Sequence, residues 1–263
     1  MTEEYGTDQR PRRRRGRGLL IAVGVLLLLL LAGLVVVDRW GASYAEGVIG
    51  DKVAEQVRAR KASSDTPEVD IKGVPFVTQV LRGEYQEIQI QLPNFSGPTG
   101  TGEQIHLDLL DIRAKDVTAP LDALRSGTGE VVAGTLTGTG TIDYPQLIEL
   151  IGQKGLKLSE KDGNLVGSAT VTVLGQQLDL AGTAKLSVVN GGIRVRFADV
   201  KATNLPDLPG IQNAIDSYAG KLGLDLPAPE LPLQLKVRSL TPTPDGLQVT
   251  FGATNVNLNA GGL

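Results

Sequence analysis

The chain has 263 residues, of which 41% are hydrophobic and only 4% aromatic, and it contains no cysteine. This length suffices for one large domain, or for two small ones, together with a targeting segment. The lack of cysteine excludes a disulfide framework, a thiolate zinc site and a cysteine nucleophile.

An unbroken apolar stretch runs from Leu19 to Val37. It is close to the roughly 20 residues that a helix needs to cross the hydrocarbon core of a bilayer. Arginines between Arg12 and Arg17 precede it, whereas only Arg39 follows it closely. The positive-inside rule therefore places the N-terminus in the cytoplasm. We predict a cytoplasmic basic tail over 1–17, a transmembrane anchor over 18–37 and an extracytoplasmic (periplasmic) domain over 38–263.

A cleaved signal peptide is the alternative for this stretch. The apolar region of a signal peptide usually has about 7–15 residues and ends in small residues of A-x-A type. The stretch here is longer, and Val35 to Asp38 is a poor cleavage site, although Ser43-Tyr44-Ala45 could be tolerated. An uncleaved anchor is therefore favoured, and both alternatives deliver the domain to the same side.

The charge of the exported part limits its partners. Six arginines and three acids lie within residues 1–37, so that 20 of the 26 basic and 26 of the 29 acidic residues remain, a net charge of −6. An acidic domain argues against nucleic acid, because contacts to phosphates require a basic surface. It also argues against broad electrostatic attachment to anionic lipid.

Residues 40–61 are predicted to form a helix outside the membrane. Apolar residues between Tyr44 and Val57 recur in it at irregular helical spacing. Gly47 and Gly50 weaken it, since each costs roughly 1 kcal/mol relative to alanine. The run from Ser63 to Pro67 predicts the end of this helix.

From Val69 onward the hydrophobic period changes to 2, which is typical of strands with one apolar and one polar face. Ile88 and Ile90 alternate with glutamines, and the pattern recurs at 105–109, 171–180, 186–197 and 235–251. Asn190-Gly191 is a strong hairpin signal, and Pro244-Asp245-Gly246 predicts a second turn. An antiparallel meander is the expected architecture.

Two short helices are predicted to interrupt the strands. Asp143 as N-cap and Pro145 at the first position are favoured at the start of a helix over 144–151. A second helix is predicted over 211–222. Both carry apolar stripes, which form either an ordinary core or the wall of a ligand cavity: Leu147, Ile148, Leu150 and Ile151 in the first, and Ile211, Ile215, Tyr218 and Leu222 in the second.

The chain offers little for catalysis. His106 is the only histidine, which excludes any two-histidine metal site, and it lies beside Asp108 on the polar face of a predicted strand. The sequence has no Gly-x-Ser-x-Gly elbow to supply a nucleophile. Gly138-Thr139-Gly140 is only half of a nucleotide-binding fingerprint. We predict a protein that is not an enzyme and has neither a cofactor nor a metal site.

The most distinctive segment runs from Val69 to Tyr85 and is followed by an alternating strand. Its marked positions are Gly73, Pro75, Phe76, Thr78, Gln79, Gly83 and Tyr85, and further marked segments are Asn204-Leu205-Pro206, Leu231-Pro232-Leu233 and Pro244-Asp245-Gly246-Leu247. This pattern resembles the hallmark of the actinobacterial LmeA-like phospholipid-binding family, with Val77 where that family often has leucine. The resemblance covers roughly residues 40–260.

The resemblance implies an α+β fold like that of the tubular lipid-binding proteins, in which a strongly curved antiparallel sheet is wrapped around a helix. It implies a cavity for phospholipid acyl chains and a role in envelope lipid or lipoglycan (mannan) metabolism. The implied partners are the membrane, a phospholipid of phosphatidylinositol type, and an envelope glycosyltransferase. Scattered cations are the candidates for a headgroup site: Lys72, Arg82, Arg194 and Arg196.

We expect the lipid to contact apolar side chains of the marked segment and of the two short helices. The predicted lipid-binding residues are Phe76, Val80, Leu81, Ile148, Ile151, Ile211, Ile215 and Leu222. Burying an acyl chain gives about 0.8 kcal/mol per methylene, so useful affinity needs no chemistry. The alternative for Gly73 to Phe76 is a structural turn that closes the sheet. An anchored scaffold that docks an envelope enzyme is the alternative function.

Overall fold

The computed structural model describes residues 15–98, 104–120, 130–153, 155–173, 176–202, 223–226 and 235–258, together with positions 213, 215, 217 and 220. The helices whose bounds lie within these described ranges are α1 (Arg15–Ala59), α2 (Phe76–Arg82) and α3 (Tyr144–Ile151). The strands, in chain order, are β1 (Glu68–Lys72), β2 (Glu84–Pro98), β3 (Gln104–Thr118), β4 (Val132–Asp143), β5 (Lys157–Lys161), β6 (Asn164–Val173), β7 (Gln176–Val189), β8 (Gly192–Ala202), β9 (Gly223–Leu226), β10 (Lys236–Thr243) and β11 (Gly246–Asn257).

The predicted anchor and the helix predicted after it form one continuous helix, α1, of 45 residues. At 1.5 Å per residue it is about 68 Å long. It is long and apolar enough to cross a membrane. Its large apolar side chains between Val23 and Val37 are 46–68% exposed, whereas the core helix of a soluble protein would bury them. α1 is therefore a candidate membrane anchor or signal sequence.

The C-terminal half of α1 packs on the domain. Ala42, Ala45, Ile49 and Val53 recur at helical spacing and are buried or half-buried, and Ala42, Ala45 and Ile49 contact the core of the first sheet. Tyr44, which the sequence placed on the apolar face, is 70% exposed. The packing face therefore combines two alanines, which let α1 approach the sheet closely, with the larger Ile49 and Val53.

The strands form two antiparallel sheets instead of one continuous meander. The first has the order β1-β2-β3-β4-β11-β10, and the second has the order β5-β6-β7-β8-β9. The Asn190-Gly191 hairpin between β7 and β8 is confirmed, with positive φ at both turn residues. The turn before Gly246 is confirmed as well. The α+β class is thus confirmed, while the wrapping of a curved sheet around a helix stays a prediction.

Helix α3 begins and ends as predicted, and the Asp143 side chain accepts a hydrogen bond from the amide of Gln146. Helix α2 was not predicted, because its seven residues are too few to reveal a period. In the predicted helix over 211–222, the four described positions are helical and Ile215 is fully buried. The remaining positions of that helix lie outside the described residues.

Two clusters make up most of the core. We call the first the membrane-proximal cluster, because it lies where α1 and α2 meet the first sheet: Ala42, Ile71, Phe76, Tyr85, Ala114, Val117, Ala119, Ala133, Leu136, Ala253, Val256 and Leu258. The distal cluster joins α3 and both sheets: Leu107, Ile142, Tyr144, Leu147, Leu156, Leu158, Leu165, Ala169, Ala184, Ile193, Val195, Phe197, Leu224, Val237, Leu247 and Val249.

Candidate functional site

One row of apolar residues crosses the entire first sheet between the two clusters and ends at Val237, which belongs to the distal cluster. Residues paired directly across an antiparallel sheet point to the same face. The pairing therefore places six positions side by side on one face, which we call the central row: Val69, Ile90, Ile112, Gly138, Phe251 and Val237.

Four of the six positions in the central row, Val69, Ile90, Ile112 and Phe251, are half-buried, whereas Gly138 and Val237 are buried. Leu136 and Val249 in the flanking rows are buried as well. Ile112 contacts the membrane-proximal cluster and Phe251 contacts the distal cluster. The row therefore forms a partly half-buried apolar strip that connects the two filled parts of the core.

Two glycines of β4 contribute bare backbone to this face. A Cβ built at Gly138 would lie 3.6 Å from the Phe251 ring, which is an ordinary contact distance. A Cβ at Gly140 would lie 2.7 Å from Cδ1 of Leu107, which covers that glycine. Gly140 is thus needed for packing. At Gly138, by contrast, a methyl group would fit, and the backbone conformation does not require glycine.

The marked segment after β1 builds α2 and attaches it to the sheet. Gln79 is buried, and its side chain donates to the carbonyl of Lys72 at 3.2 Å and accepts from the amide of Gln86 at 3.0 Å. Gly73 has φ 98°, and a side chain there would press on Gln86. Gly83, with φ 67°, ends the helix. These marked residues therefore serve the local fold.

Helix α1 supplies the cap that α2 lacks. The N-cap position of α2 is Pro75, which makes no side-chain cap hydrogen bond. Oδ1 of Asp38 accepts the amide hydrogen of Val77 at 2.8 Å instead, and Asp38 is one of the buried polar residues. A carboxylate at a helix N-terminus satisfies amides that have no partner within the helix. The end of the apolar stretch and α2 are therefore held together.

The structure divides the predicted lipid-binding residues among several places. Phe76 belongs to the membrane-proximal cluster and Val80 packs against it, while Ile148 and Ile151 pack against the distal cluster. Ile215 packs on Leu178 and Leu180 of the second sheet. Leu81 is 75% exposed. Ile211 and Leu222 lie outside the described residues.

The sequence pattern alone does not identify the central row as a site. Its signal was present in the period-2 alternation of Ile90 with its glutamine neighbours. That alternation marks an apolar face, but it does not tell which part of the face is covered by other elements. The register of hydrogen-bonded strands across the six-stranded sheet was needed to identify the central row.

Three of the four candidate headgroup cations are already paired. Lys72 forms an ion pair with Asp70. Arg194 and Arg196 both bind the carboxylate of Asp225, and their hydrogen bonds lower the pKa of Asp225. Arg82 lies in the last turn of α2. The four cations therefore do not form one basic pocket.

Among the residues that the structure describes, the titratable side chains do not assemble a reactive centre. Nε2 of His106 lies 3.7 Å from Asp108, and both side chains are exposed. Burial raises the pKa of Tyr85, and burial together with Glu160 and Asp245 raises that of Tyr144. Within the described part of the chain, no group of three or more His, Asp or Glu side chains could hold a metal ion.

A second concavity lies on the second sheet, between β6, β7 and β8. It is lined by Leu156, Gly167, Leu180, Gly182 and Phe197, among others, and its volume is about 10 Å³. A cavity of roughly that volume holds one water molecule. The Phe197 ring fills the space above Gly167, where a Cβ would lie 2.3 Å from it. This cleft is too small for an acyl chain.

Comparison with known proteins gives one match. The family model described as LmeA-like phospholipid-binding matches residues 36–252, which run from the last two residues of the apolar stretch through α2 and β1 to β10 and into β11. No curated protein matches the chain significantly, and no solved structure does so either.

Proposed function

The chain belongs to the LmeA-like phospholipid-binding family, and from that premise we propose that it is a membrane-anchored protein that holds phospholipid acyl chains on the central row. The apolar helix α1 supplies the attachment, and the first sheet supplies the binding surface. The observation that carries the proposal is a row across six strands in which four positions, Val69, Ile90, Ile112 and Phe251, stay half-buried, with a filled core on both sides of it.

The dimensions of the row suit an acyl chain. Neighbouring strands lie about 4.8 Å apart, so six strands give a row of about 24 Å. The acyl chains of one leaflet occupy about 15 Å, half of a hydrocarbon core of roughly 30 Å. Each methylene transferred from water to an apolar surface contributes about 0.8 kcal/mol, so partial coverage by the row suffices for binding.

The packing of α1 supports an anchor that is retained in the mature protein. Cleavage after Ala45 would remove Asp38, which caps α2, and Ala42, which belongs to the membrane-proximal cluster. The domain would lose part of its core, so we infer that α1 is not cleaved. With the arginines on the cytoplasmic side, the two sheets lie outside the cytoplasm.

Within the cell envelope, we propose that the bound phospholipid serves lipid or lipoglycan (mannan) metabolism, either by transfer or by presentation to a glycosyltransferase. The family resemblance suggests a phosphatidylinositol-type ligand. The exposed Arg82 at the end of α2 is the candidate for contact with its phosphate, because a guanidinium can bind two phosphate oxygens at once.

Native mass spectrometry of the full chain, released from detergent, combined with lipid extraction of the same sample, tests this function. We expect phospholipid to copurify at close to one molecule per chain. Ile90→Asp places a charge on the central row and should abolish the bound mass. Thr250→Asp places the same charge on a half-buried position of the opposite face and should leave it.

A chain that stays free of lipid after incubation with phospholipid vesicles would contradict the proposal. Such a result would favour an anchored scaffold that uses the first sheet for structure alone. Equal loss of lipid in both aspartate variants would refute the central row as the site. The proposal that the parent chain binds lipid would not be affected.

A further inference from the structure

Three aliphatic side chains project from the segment around α2. Val74 is 74% exposed, Val77 42% and Leu81 75%. In the same segment Phe76 and Gln79 are buried, so the segment has an inner apolar face and a second, outer one. Single exposed hydrophobic residues are ordinary, but a group of them marks a contact surface. We call these three residues the α2 patch.

The contact between α1 and α2 determines how far the α2 patch lies from the end of the apolar stretch. Asp38, which binds the amide of Val77, is the first residue after the apolar stretch. Phe76 lies against Gly41, where a Cβ would be 3.6 Å from its ring. At 1.5 Å per residue, positions 38 to 41 lie within about 6 Å of the end of that stretch. The headgroup layer is roughly 5–7 Å thick on each side. Helix α2 therefore lies at the level of this layer.

The side chains of α1 at the same level are those preferred at a membrane surface. Trp40 is 74% exposed and stacks on Tyr44, with 6.4 Å between the ring centroids. Tryptophan and tyrosine are enriched at both membrane–water interfaces, because one part of the ring is apolar and another is polar. These aromatic residues place the bilayer surface independently of the length of the apolar stretch.

We propose that Val74, Val77 and Leu81 dock α2 onto the surface of the bilayer that α1 spans. The bilayer is the occupant because the patch is continuous with the membrane-spanning helix and lies at the level of its interfacial aromatic residues. The domain then has two points of attachment. Phe76 and Val80, on the inner side of α2, lie between the bilayer and the apolar face of the first sheet. This docking does not depend on where the domain binds a lipid.

Fluorescence quenching in nanodiscs tests the docking on the full chain. Because the chain has no cysteine, Leu81→Cys provides a single attachment site for an NBD dye. The matched control is Val188→Cys, an exposed aliphatic position of β7 in the second sheet. The nanodiscs contain phosphatidylcholine with or without a lipid whose acyl chain carries a nitroxide near the headgroup. Trp40, the one tryptophan, reports separately the depth of α1 through quenching by brominated lipid.

We expect the dye at position 81 to emit at shorter wavelength than the dye at 188 and to lose most of its emission in nitroxide lipid. The dye at 188 should emit as in water and be unaffected. Quenching of Trp40 together with a water-like, unquenched dye at position 81 would overturn the docking. An unquenched Trp40 would overturn it too, because α2 would then not lie at the bilayer surface. Circular dichroism of each labelled chain verifies that both sheets are retained.

Discussion

Alanine at two glycine positions of β4 should change the free energy of unfolding in opposite directions. Gly138→Ala adds a methyl group at an ordinary 3.6 Å from Phe251 and 4.0 Å from Ile112. A glycine within a strand costs roughly 0.5–1 kcal/mol relative to alanine, chiefly through its extra freedom in the unfolded chain. Since the new methyl group fits, we expect Gly138→Ala to stabilise the fold by about that amount.

Gly140→Ala should destabilise the fold, although it has the same intrinsic advantage. Its methyl group would lie 2.7 Å from Cδ1 of Leu107 and 3.5 Å from Cδ2. Leu107 is only 6% exposed and is held in the distal cluster, so it has little room to move. Overpacking typically costs 1–3 kcal/mol. Replacing glycine by alanine offsets part of this cost, so the free energy of unfolding should fall by about 1 kcal/mol.

Thermal and urea unfolding of the full chain in detergent, followed by the sheet signal in circular dichroism, measures both effects. A change of 1 kcal/mol corresponds to roughly 2–4 °C in Tm for a domain of this size. We expect Gly138→Ala to unfold at a higher and Gly140→Ala at a lower temperature than the parent chain. A loss of stability in Gly138→Ala, or a gain in Gly140→Ala, would refute the placement of Phe251 and Leu107 over this face.

Three further predictions concern the core, a helix cap and an ion pair. Leu136→Ala should lower the free energy of unfolding by about 2–5 kcal/mol, because this side chain is almost fully buried; a loss well below that in urea unfolding would contradict its burial. Asp143→Ala should cost about 1 kcal/mol through loss of the α3 cap, whereas Asp143→Asn should retain most of it. Arg194 and Arg196 lower the pKa of Asp225, so its stabilising contribution is present above the ordinary value of 3.8 and is lost as the pH falls through the lowered pKa. The difference in Tm between the parent and Asp225→Asn should therefore be constant near neutral pH and vanish in strong acid; a difference that grows in acid would contradict the pairing.

Much of the architecture could be predicted from local patterns. The alternation around Ile90 determines which face of the first sheet is apolar, because side chains of a strand alternate between its faces. Asp143 and Pro145 determine where α3 begins, since a cap and a fixed φ act within one turn. Asn190-Gly191 determines the turn between β7 and β8 because that turn requires positive φ. The unbroken run up to Val37 determined a helix that could span a bilayer.

Only the tertiary structure decided which apolar residues are buried and which stay half-buried or exposed. Phe76 and Ile148 looked equivalent in the sequence, yet they pack at opposite ends of the first sheet. The strip with Ile112 and Phe251 depends on the register between strands that are more than a hundred residues apart in the chain. The cap that joins Asp38 to α2 is likewise a long-range contact. Hydrophobic periodicity records the faces that must avoid water, but burial depends on what packs against each face, and contacts between distant segments decide that.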